Sequence, residues 1–431
     1  MKSSFQTIIL IVFIGAFVVA VIAFSGILGG STSTGTSSEP AGQVTVWGIL
    51  PADIMATYVS DFNAEGNGYT LVYEQHAPGT FYQDLIIALA NNTSPDVVIF
   101  SSEIFSQFKD KLYTIPYQAY TERTFRDTNI DGAQIFLTSE GVVGLPLTVD
   151  PLVVYYNKDI LSSQNFVVPP RTWTTLAASV PILTNRTAQN TITQSTIALG
   201  EADNIGHYRD ILSALFLQTG NGIVASDPTT GTPIITLTDG GGTTGGLPTA
   251  DALTFYTGFA NPTSANYSWN RSLPESLQQF LAGKSAFYIG RASELFAIQA
   301  QNPNLNFDVM ELFQPTNATR SITFGSYIAV GIMKSAPNFT AAYAAAGAMA
   351  SPEGVDALSK RFSLPPARRD LLLVAQQNPY VSVFFKAALS AFSWPDQNVT
   401  ATNSVFRAMI QNVNSGRSDA QTAIYEATRD L

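Results

Sequence analysis

The sequence contains no cysteine, and this absence removes several kinds of site at once. A structural disulfide, a thiolate metal site and a cysteine nucleophile all require a thiol. The lipid-modified cysteine that anchors many bacterial surface proteins is excluded for the same reason. Histidine is nearly as scarce, with His76 and His207 alone, so we expect no metal site built from several histidines.

Charge is also sparse, because charged residues make up 13% of the chain. The formal net charge is −10, and no cluster of Lys and Arg is present. Binding to nucleic acid relies on such clusters, so we expect no nucleic-acid partner. Hydrophobic residues, at 45% of 431, are enough for more than one core, and two or more lobes are predicted.

The N-terminus holds an uncharged apolar run at residues 8–28, long enough to cross a bilayer as a helix. Lys2 precedes it, so the positive-inside tendency places the rest of the chain outside the cytoplasm. The alternative is a cleaved signal peptide ending near residues 23–25. Residues 29–43 are rich in Gly, Ser and Thr, which predicts a flexible linker.

Beyond residue 44 the apolar patterns alternate between strand and helix, which is typical of an α/β lobe. The predicted order is strand, helix, strand, helix, strand, at residues 44–50, 52–65, 69–75, 79–91 and 96–100. In open α/β sheets ligands bind beyond the carboxyl ends of the strands. That rule selects the short segments 47–49, 75–77 and 101–103.

The middle of the chain contains a Gly-rich stretch at residues 238–249. It lacks the Lys-Ser/Thr ending of a phosphate-binding loop and the spacing of a dinucleotide turn, so an exposed loop is predicted. The later part of the chain is mainly helical. Helices are predicted at residues 250–259, 273–282, 339–349, 354–362, 380–392 and 402–414.

Four groups of short motifs resemble the extracellular solute-binding proteins of ABC importers, in that family's order. They are Ser-Pro-Asp-Val at 94–97 with 112–116; Gly-Val-Val-Gly-Leu-Pro at 141–146 with Tyr-Tyr-Asn-Lys-Asp at 155–159 and Pro-Pro-Arg-Thr-Trp at 169–173; Gly-Lys-Ser-Ala-Phe at 283–287; and Ser-Pro-Glu-Gly at 351–354 with Pro-Pro-Ala-Arg at 365–368. The likeness is greatest to the sugar-binding, maltose-binding-protein-like group. The missing lipid-anchor cysteine and the Gly-rich stretch depart from the family pattern.

The resemblance implies a two-lobed, periplasmic-binding-protein-like α/β fold with the ligand in a cleft between the lobes. Each lobe would be a mainly parallel sheet flanked by helices, with an N-terminal transmembrane helix before them. By motif position we expect an anchor or signal at 1–28, a linker at 29–43, lobe one at 44–149 and 326–372, and lobe two at 150–325 and 373–431.

The function that the resemblance implies is capture of a sugar or oligosaccharide outside the cell and its delivery to an ABC permease. No cofactor, metal or catalytic residue is implied, and the membrane would be a partner through the N-terminal helix. The same fold could instead bind a polyamine, a peptide or a metal-chelate, or act as a surface sensor. A glycosidase would need facing carboxylates, and the spacing of Asp150 with Glu103 or Glu294 does not support such a pair.

Candidate ligand contacts in lobe one lie at the strand ends. Trp47 follows the first strand and could stack on a sugar ring, or pack beneath the sheet instead. His76 could exchange a hydrogen bond with the ligand, although a lone histidine is often structural. Ser101 directly follows the third predicted strand.

Further candidates lie at the crossovers. Asp150 could accept hydrogen bonds from sugar hydroxyls or could stabilise the hinge. Tyr155 is a ligand candidate beside Tyr156, although alternation along a strand lets at most one of them reach the cleft. This adjacent pair also keeps a ferric ligand open as an alternative.

Three later residues complete the set of candidates. The resemblance places Arg291 where a flat guanidinium could replace an aromatic platform, and Tyr327 at the second crossover. It places Trp394 where a stacking tryptophan is expected. Trp173 instead belongs to a helix start and is predicted to be structural.

Overall fold

The computed structural model describes residues 42–227, 232–240 and 246–431. No helix among these residues is both long and apolar enough to span a bilayer. The predicted transmembrane segment at 8–28 and nearly all of the predicted linker lie outside the described residues. The first strand begins at Gly42, two residues before the predicted start of the fold.

The first part of the chain follows the predicted alternation of strands and helices. Its elements are β1 (Gly42–Gly48), α1 (Ala52–Ala64), β2 (Tyr69–Gln75), α2 (Phe81–Ala90), β3 (Val97–Ser101), α3 (Phe105–Phe108), β4 (Ile115–Pro116), α4 (Glu122–Thr128) and β5 (Gly141–Val142). Strand β1 lies between β2 and β3 and is parallel to both. Every residue of β3 but the last is buried, as expected for a strand covered by helices on both faces.

Two long strands, β6 (Leu145–Asn157) and β13 (Thr323–Ile332), connect this part to the rest of the molecule. They are antiparallel to each other from Leu145 to Pro151. The later half of β6 then pairs with two other strands, β11 (Ser285–Arg291) and β12 (Phe307–Glu311). Strand β6 therefore belongs to both halves of a continuous sheet, and the chain crosses between the lobes along it.

The second part is built around the continuation of that sheet. Its elements are α5 (Lys158–Ser163), α6 (Trp173–Leu183), β7 (Asn185–Arg186), β8 (Ile192–Ile197), α7 (Tyr208–Gln218), β9 (Val224–Ser226), β10 (Pro233–Ile235), α8 (Pro248–Gly258), α9 (Ser276–Leu281), β11 (Ser285–Arg291), α10 (Leu295–Gln301) and β12 (Phe307–Glu311). After β13 come α11 (Phe339–Met349), α12 (Pro352–Phe362), α13 (Arg369–Leu372), α14 (Pro379–Ala388), β14 (Ala391–Phe392), α15 (Val399–Asn414) and α16 (Ala420–Asp430).

The hydrophobic cores divide these elements into two lobes. In the first lobe, β1–β3 are covered on one face by α1, α11 and α12 and on the other by α2, α3 and the segment through α4. In the second lobe, α6, α7, α8, α15 and α16 pack on one face of the sheet and α9, α10 and α14 on the other. The predicted two-lobed α/β fold is confirmed.

The prediction of mainly parallel sheets is wrong for the second lobe. There β6 is antiparallel to both β11 and β12, and β7 is antiparallel to β8, whereas only β8 and β11 run parallel. The physical reason is the connection between the lobes. Because β6 and β13 carry the chain across in opposite directions, each is antiparallel to strands that belong to a lobe.

One predicted helix is too long. The segment predicted at 380–392 ends as helix at Ala388, and Ala391–Phe392 forms β14 beside the start of β13. Apolar residues at helical spacing continue past the helix end, so the pattern does not distinguish the two states. Pairing with β13 bonds backbone groups that a longer helix would have bonded internally.

Candidate ligand cleft

A cleft lies between the lobes beside the crossover strands, and a cavity of about 470 Å³ opens in it. The first lobe contributes Glu103 to its lining and the crossover contributes Asp150. The remaining lining residues are His207 and its neighbours, the turn after β11 and the first turns of α15. We call Trp47, His76, Ser101 and Glu103 the first wall, and His207, Arg209, Asp210, Arg291, Glu294 and Asn403 the second wall.

The start of α7 supplies much of the second wall. Residues 207–210 read His-Tyr-Arg-Asp and are followed by the apolar run Ile-Leu-Ser-Ala-Leu-Phe, which is buried in the second-lobe core. The apolar residues fix the helix, so its first turn is held at the cleft. An acidic residue there is also favoured by the helix dipole, and Asp210 occupies the first turn.

Two guanidinium groups and three carboxylates alternate in the second wall and across the cleft. Arg291 donates from Nε and Nη2 to Asp210 Oδ2, at 3.1 and 2.7 Å. The same Nη2 lies 2.7 Å from Glu103 Oε1, on the other lobe. Arg209 pairs with the buried Asp396, and its Nη1 lies 3.9 Å from Glu103 Oε2. Glu103 therefore faces two cations that partners in the second lobe already hold.

His207 lies between two carboxylates. Its Nε2 lies 2.8 Å from Glu294 Oε1 and its Nδ1 lies 3.6 Å from Asp210 Oδ2. Burial on its own acts to lower the pKa of His207, but the two carboxylates outweigh it and raise the pKa to about 10. His207 is therefore a cation at neutral pH.

Asp210 remains ionised in the middle of this cluster. Burial acts to raise the pKa of Asp210, but Arg291, His207 and Arg209 outweigh it and hold the pKa well below its usual range. Three cations surround this carboxylate, and its shortest contacts are the two hydrogen bonds from Arg291. Its part in the cleft is to orient Arg291.

A glycine permits the close packing at the end of β11. A Cβ at Gly290 would lie 2.2 Å from Glu294 Oε2, so a side chain there would displace the carboxylate. Glu294 instead accepts hydrogen bonds from the Tyr288 hydroxyl at 2.9 Å and from the Arg291 amide at 3.1 Å. The backbone next to the cleft arginine is thereby fixed.

Asp150 bonds the crossover to the second lobe. Its two carboxylate oxygens accept hydrogen bonds from the backbone amide and the hydroxyl of Ser293, at 3.0 and 2.6 Å. Burial raises the pKa of Asp150, while nearby Arg291 and the Ser293 hydrogen bonds act in the opposite direction. Of the two predicted roles, the hinge hydrogen bond is present, and ligand contact stays a prediction.

The first wall is less polar. The rings of Trp47 and His76 are 4.1 Å apart with an interplanar angle of 32°, and His76 Nδ1 lies 3.1 Å from Asp84 Oδ2. Ser101 ends β3 next to the loop that carries Glu103. Trp47, His76 and Ser101 lie at the strand ends, as predicted, but they do not line the 470 Å³ cavity. Their contact with a ligand stays a prediction.

The structure contradicts ligand contact for three predicted residues, because all three are buried in the cores. The hydroxyl of Tyr155 donates to the Arg291 carbonyl at 2.8 Å, and that of Tyr327 donates to the Ala391 carbonyl at 2.7 Å. Trp394 is 4% exposed, and its Nε1 donates to Ser213 Oγ at 3.1 Å. Arg209 lies over the Trp394 ring, and the Phe406 ring stacks on Trp394 with a centroid distance of 6.4 Å.

The positions of Tyr155 and Tyr156 also argue against a ferric ligand, the alternative that this adjacent pair had left open. Tyr155 is buried and the hydroxyl of Tyr156 donates to Asp308 Oδ2 at 3.2 Å, so the two hydroxyls have separate partners. Within the described ranges no group of three or more His, Asp or Glu side chains is placed to hold a metal ion.

Several cleft residues were missed from the sequence. Glu103 falls inside a segment that the strand-end rule selected, yet it was not chosen as a ligand contact. The charged turn at 207–210, in a chain with little charge, was the available signal for His207, Arg209 and Asp210. Asn403 gave none. Its side-chain amide lines the cavity and has no hydrogen-bond partner among the described residues.

Comparison with known proteins identifies the fold. A cyclic alpha-maltosyl-1,6-maltose binding protein from Arthrobacter globiformis has a TM-score of 0.72 at 17% identity, over 90% of this chain and 97% of that one. A cyclo/maltodextrin-binding protein complexed with maltotetraose has a TM-score of 0.73 at 16% identity, over 93% and 97%. An ABC substrate-binding protein from Listeria monocytogenes in complex with cycloalternan has a TM-score of 0.66 at 19% identity, over 90% and 98%.

The family assignment comes from the sequence itself. Residues 57–382 match the family described as bacterial extracellular solute-binding protein. This match covers most of the chain, including both crossover strands and the start of α7. The motifs from residue 94 to residue 368 had indicated the same family. The chain therefore belongs to the bacterial extracellular solute-binding protein family.

Proposed function

We propose that this chain is the substrate-binding component of an ABC import system. It captures a sugar or oligosaccharide in the cleft between its lobes and presents it to a membrane permease. It performs no chemistry on the ligand. The carboxylates that the sequence offers for a hydrolytic pair are each held by a protein partner: Asp150 by Ser293, Glu103 by Arg291 and Glu294 by His207.

The observation that most supports a saccharide is the composition of the cleft. A sugar offers a fringe of hydroxyls that both donate and accept hydrogen bonds. Around one cavity of about 470 Å³, the second wall presents an arginine, a protonated histidine, a carboxylate and an amide that has no partner among the described residues. The similar solved structures include complexes with maltotetraose and cycloalternan, and two of them are named for saccharides.

The proposed ligand contacts combine both walls. Arg291 and Asn403 would meet hydroxyls from the second lobe, with Asp150 at the base of the cleft. Trp47, His76 and Ser101 would approach from the first lobe as it closes. The half-buried Trp47 ring provides the first wall with an apolar surface that suits a sugar face.

The remaining features are proposed on the sequence. The lobes would be bounded as 44–149 with 326–372 and 150–325 with 373–431. Residues 8–28 would anchor the protein to the cell membrane with the lobes outside, and the predicted linker at 29–43 would separate the lobes from the bilayer. An anchor of this kind would take the place of the absent lipid-modified cysteine.

A thermal-shift screen of the full-length protein in mild detergent tests the proposal. A ligand that binds the folded state at a hundredfold excess over its Kd adds about 2.7 kcal/mol of stability. The panel contains mono-, di- and oligosaccharides, spermidine and a ferric chelate. A rise in Tm with a saccharide series supports the proposal. A rise with spermidine or the chelate alone would keep the fold and overturn the ligand class.

A further inference from the structure

We infer that Glu103 is a latch residue that holds the two lobes together and so sets how easily the cleft opens. The inference concerns closure rather than ligand chemistry, so it goes beyond the proposed function and can be tested without a ligand. It rests on three observations: where Glu103 lies, what it contacts, and how firmly those contacts are held.

Glu103 projects from the first lobe on a fixed turn. The preceding residue, Ser102, donates from its backbone amide to the Tyr327 carbonyl at 2.7 Å, and its hydroxyl accepts from the Tyr327 amide at 3.0 Å. The amide of Ile104 donates to the Ser101 carbonyl at 3.2 Å. The carboxylate of Glu103 is thus held at the edge of β3 and moves with the first lobe.

Both partners of Glu103 belong to the second lobe and are held there without it. Two hydrogen bonds to Asp210 orient Arg291, and the pair with Asp396 orients Arg209. The receiving site is therefore preorganised, and a single carboxylate completes it. Among the ion pairs of the described residues, those of Glu103 cross the cleft, whereas the others stay on one side of it.

The Glu103–Arg291 pair is partly exposed to solvent, so salt can weaken it. The side chains of Glu103 and Arg291 are 19% and 22% exposed, so water and ions reach the pair. Charge-assisted hydrogen bonds are stronger than neutral ones, and salt screens them where solvent has access. Opening the lobes requires this pair to separate. Its loss should therefore move the equilibrium towards the open form.

Spin-label distances measure this directly, because the chain has no cysteine of its own. Cysteines introduced as Ala56→Cys on α1 and Ala408→Cys on α15 place one label on an exposed position of each lobe. Pulsed electron paramagnetic resonance then gives the distance distribution for the full-length protein, with no saccharide added. Samples in 50 mM and 500 mM NaCl differ several-fold in screening length.

The labelled protein is compared with two further variants. Glu103→Gln keeps the shape of the side chain and removes its charge. Glu311→Gln is the matched control, since Glu311 pairs with Lys386 at 2.6 Å entirely within the second lobe. Glu103→Gln should shift the main distance peak of the labelled protein outwards, and 500 mM NaCl should shift the unsubstituted form the same way. Glu311→Gln should match its parent.

Either of two results would overturn the latch. One is a Glu103→Gln distribution that superimposes on that of the parent. The other, decisive if Glu103→Gln does not fold, is a parent distribution that is identical in 50 mM and 500 mM NaCl. Both leave the proposed function intact, because saccharide binding is measured separately by the shift in Tm.

Discussion

The two walls of the cleft differ in how they are built. The first wall consists of side chains at the ends of parallel strands: the Trp47–His76 ring pair, Ser101, and the single carboxylate of Glu103. The second wall is a partly buried network in which His207, Asp210 and Arg291 each contact a partner of opposite charge.

This difference suggests that the two walls have separate tasks in one site, recognition of the ligand and closure on it. A network held by its own second-lobe partners keeps its geometry whether or not the first lobe is close. The first wall has fewer fixed contacts and supplies an apolar ring and one charge. Under the proposed function, the second lobe would hold the recognition surface and the first lobe would close on it, as in hinge closure around ligands in binding proteins.

The largest effect on stability should come from breaking the second wall at Arg209. Arg209→Met leaves Asp396, which is 1% exposed, without its cation, and losing one partner of a buried pair costs about 3–5 kcal/mol. Urea unfolding measures this loss. Arg126→Met is the control, because its pair with Glu122 is exposed and is worth about 1 kcal/mol or less. Equal losses in the two variants would contradict a structured second wall.

A pH dependence of stability should follow from His207. Its pKa in the folded protein is raised from the ordinary 6.5 to about 10, so the protonated form favours folding. The contribution is complete below pH 6.5 and is lost as the pH rises towards 10, at about 1.4 kcal/mol for each pKa unit. Unfolding free energies of the wild type and His207→Gln should converge between pH 6 and pH 10. A constant difference would show that His207 is not held as a cation.

A smaller effect is expected for the first wall. Trp47→Leu removes the ring contact with His76, and such aromatic pairs contribute about 1 kcal/mol beyond the area they bury. Urea unfolding should show a modest loss with the transition slope unchanged. A loss as large as that of Arg209→Met would mean that both walls are equally integral to the fold.

Much of the fold could be predicted because its apolar patterns are regular. Strand β2 matches its predicted bounds at 69–75, and α11 matches the prediction at 339–349. Where nearly every residue of a strand is buried, the apolar pattern no longer shows which face of the sheet each side chain occupies. Strand β6 is buried on both faces, so alternation could not show that Tyr155 faces the core.

The candidate site was harder to predict, because its parts are brought together from distant segments. Arg209 contacts residues 103 and 396, and Arg291 contacts residues 103 and 210. No local spacing encodes those contacts. For Trp394 the sequence instead predicts a ligand contact that the structure does not support. Its position resembled that of a stacking residue, but packing against Phe406 and a hydrogen bond to Ser213 place it in the core.

The most direct test of a saccharide site in this cleft uses a residue that does not support the fold. Asn403 lines the cavity with an amide that has no partner in the described structure, so Asn403→Ala should leave unfolding unchanged. Ser404→Ala, one position along the same helix and exposed, is the matched control. The measurement is a calorimetric titration of both variants with the saccharide that raises the wild-type Tm most.

Loss of one hydrogen bond should weaken binding to Asn403→Ala by about 3- to 10-fold, with Ser404→Ala binding as the wild type does. That result would place the ligand against the second wall. Equal affinity for both variants and the wild type would contradict the account, because the saccharide would then bind away from this cavity.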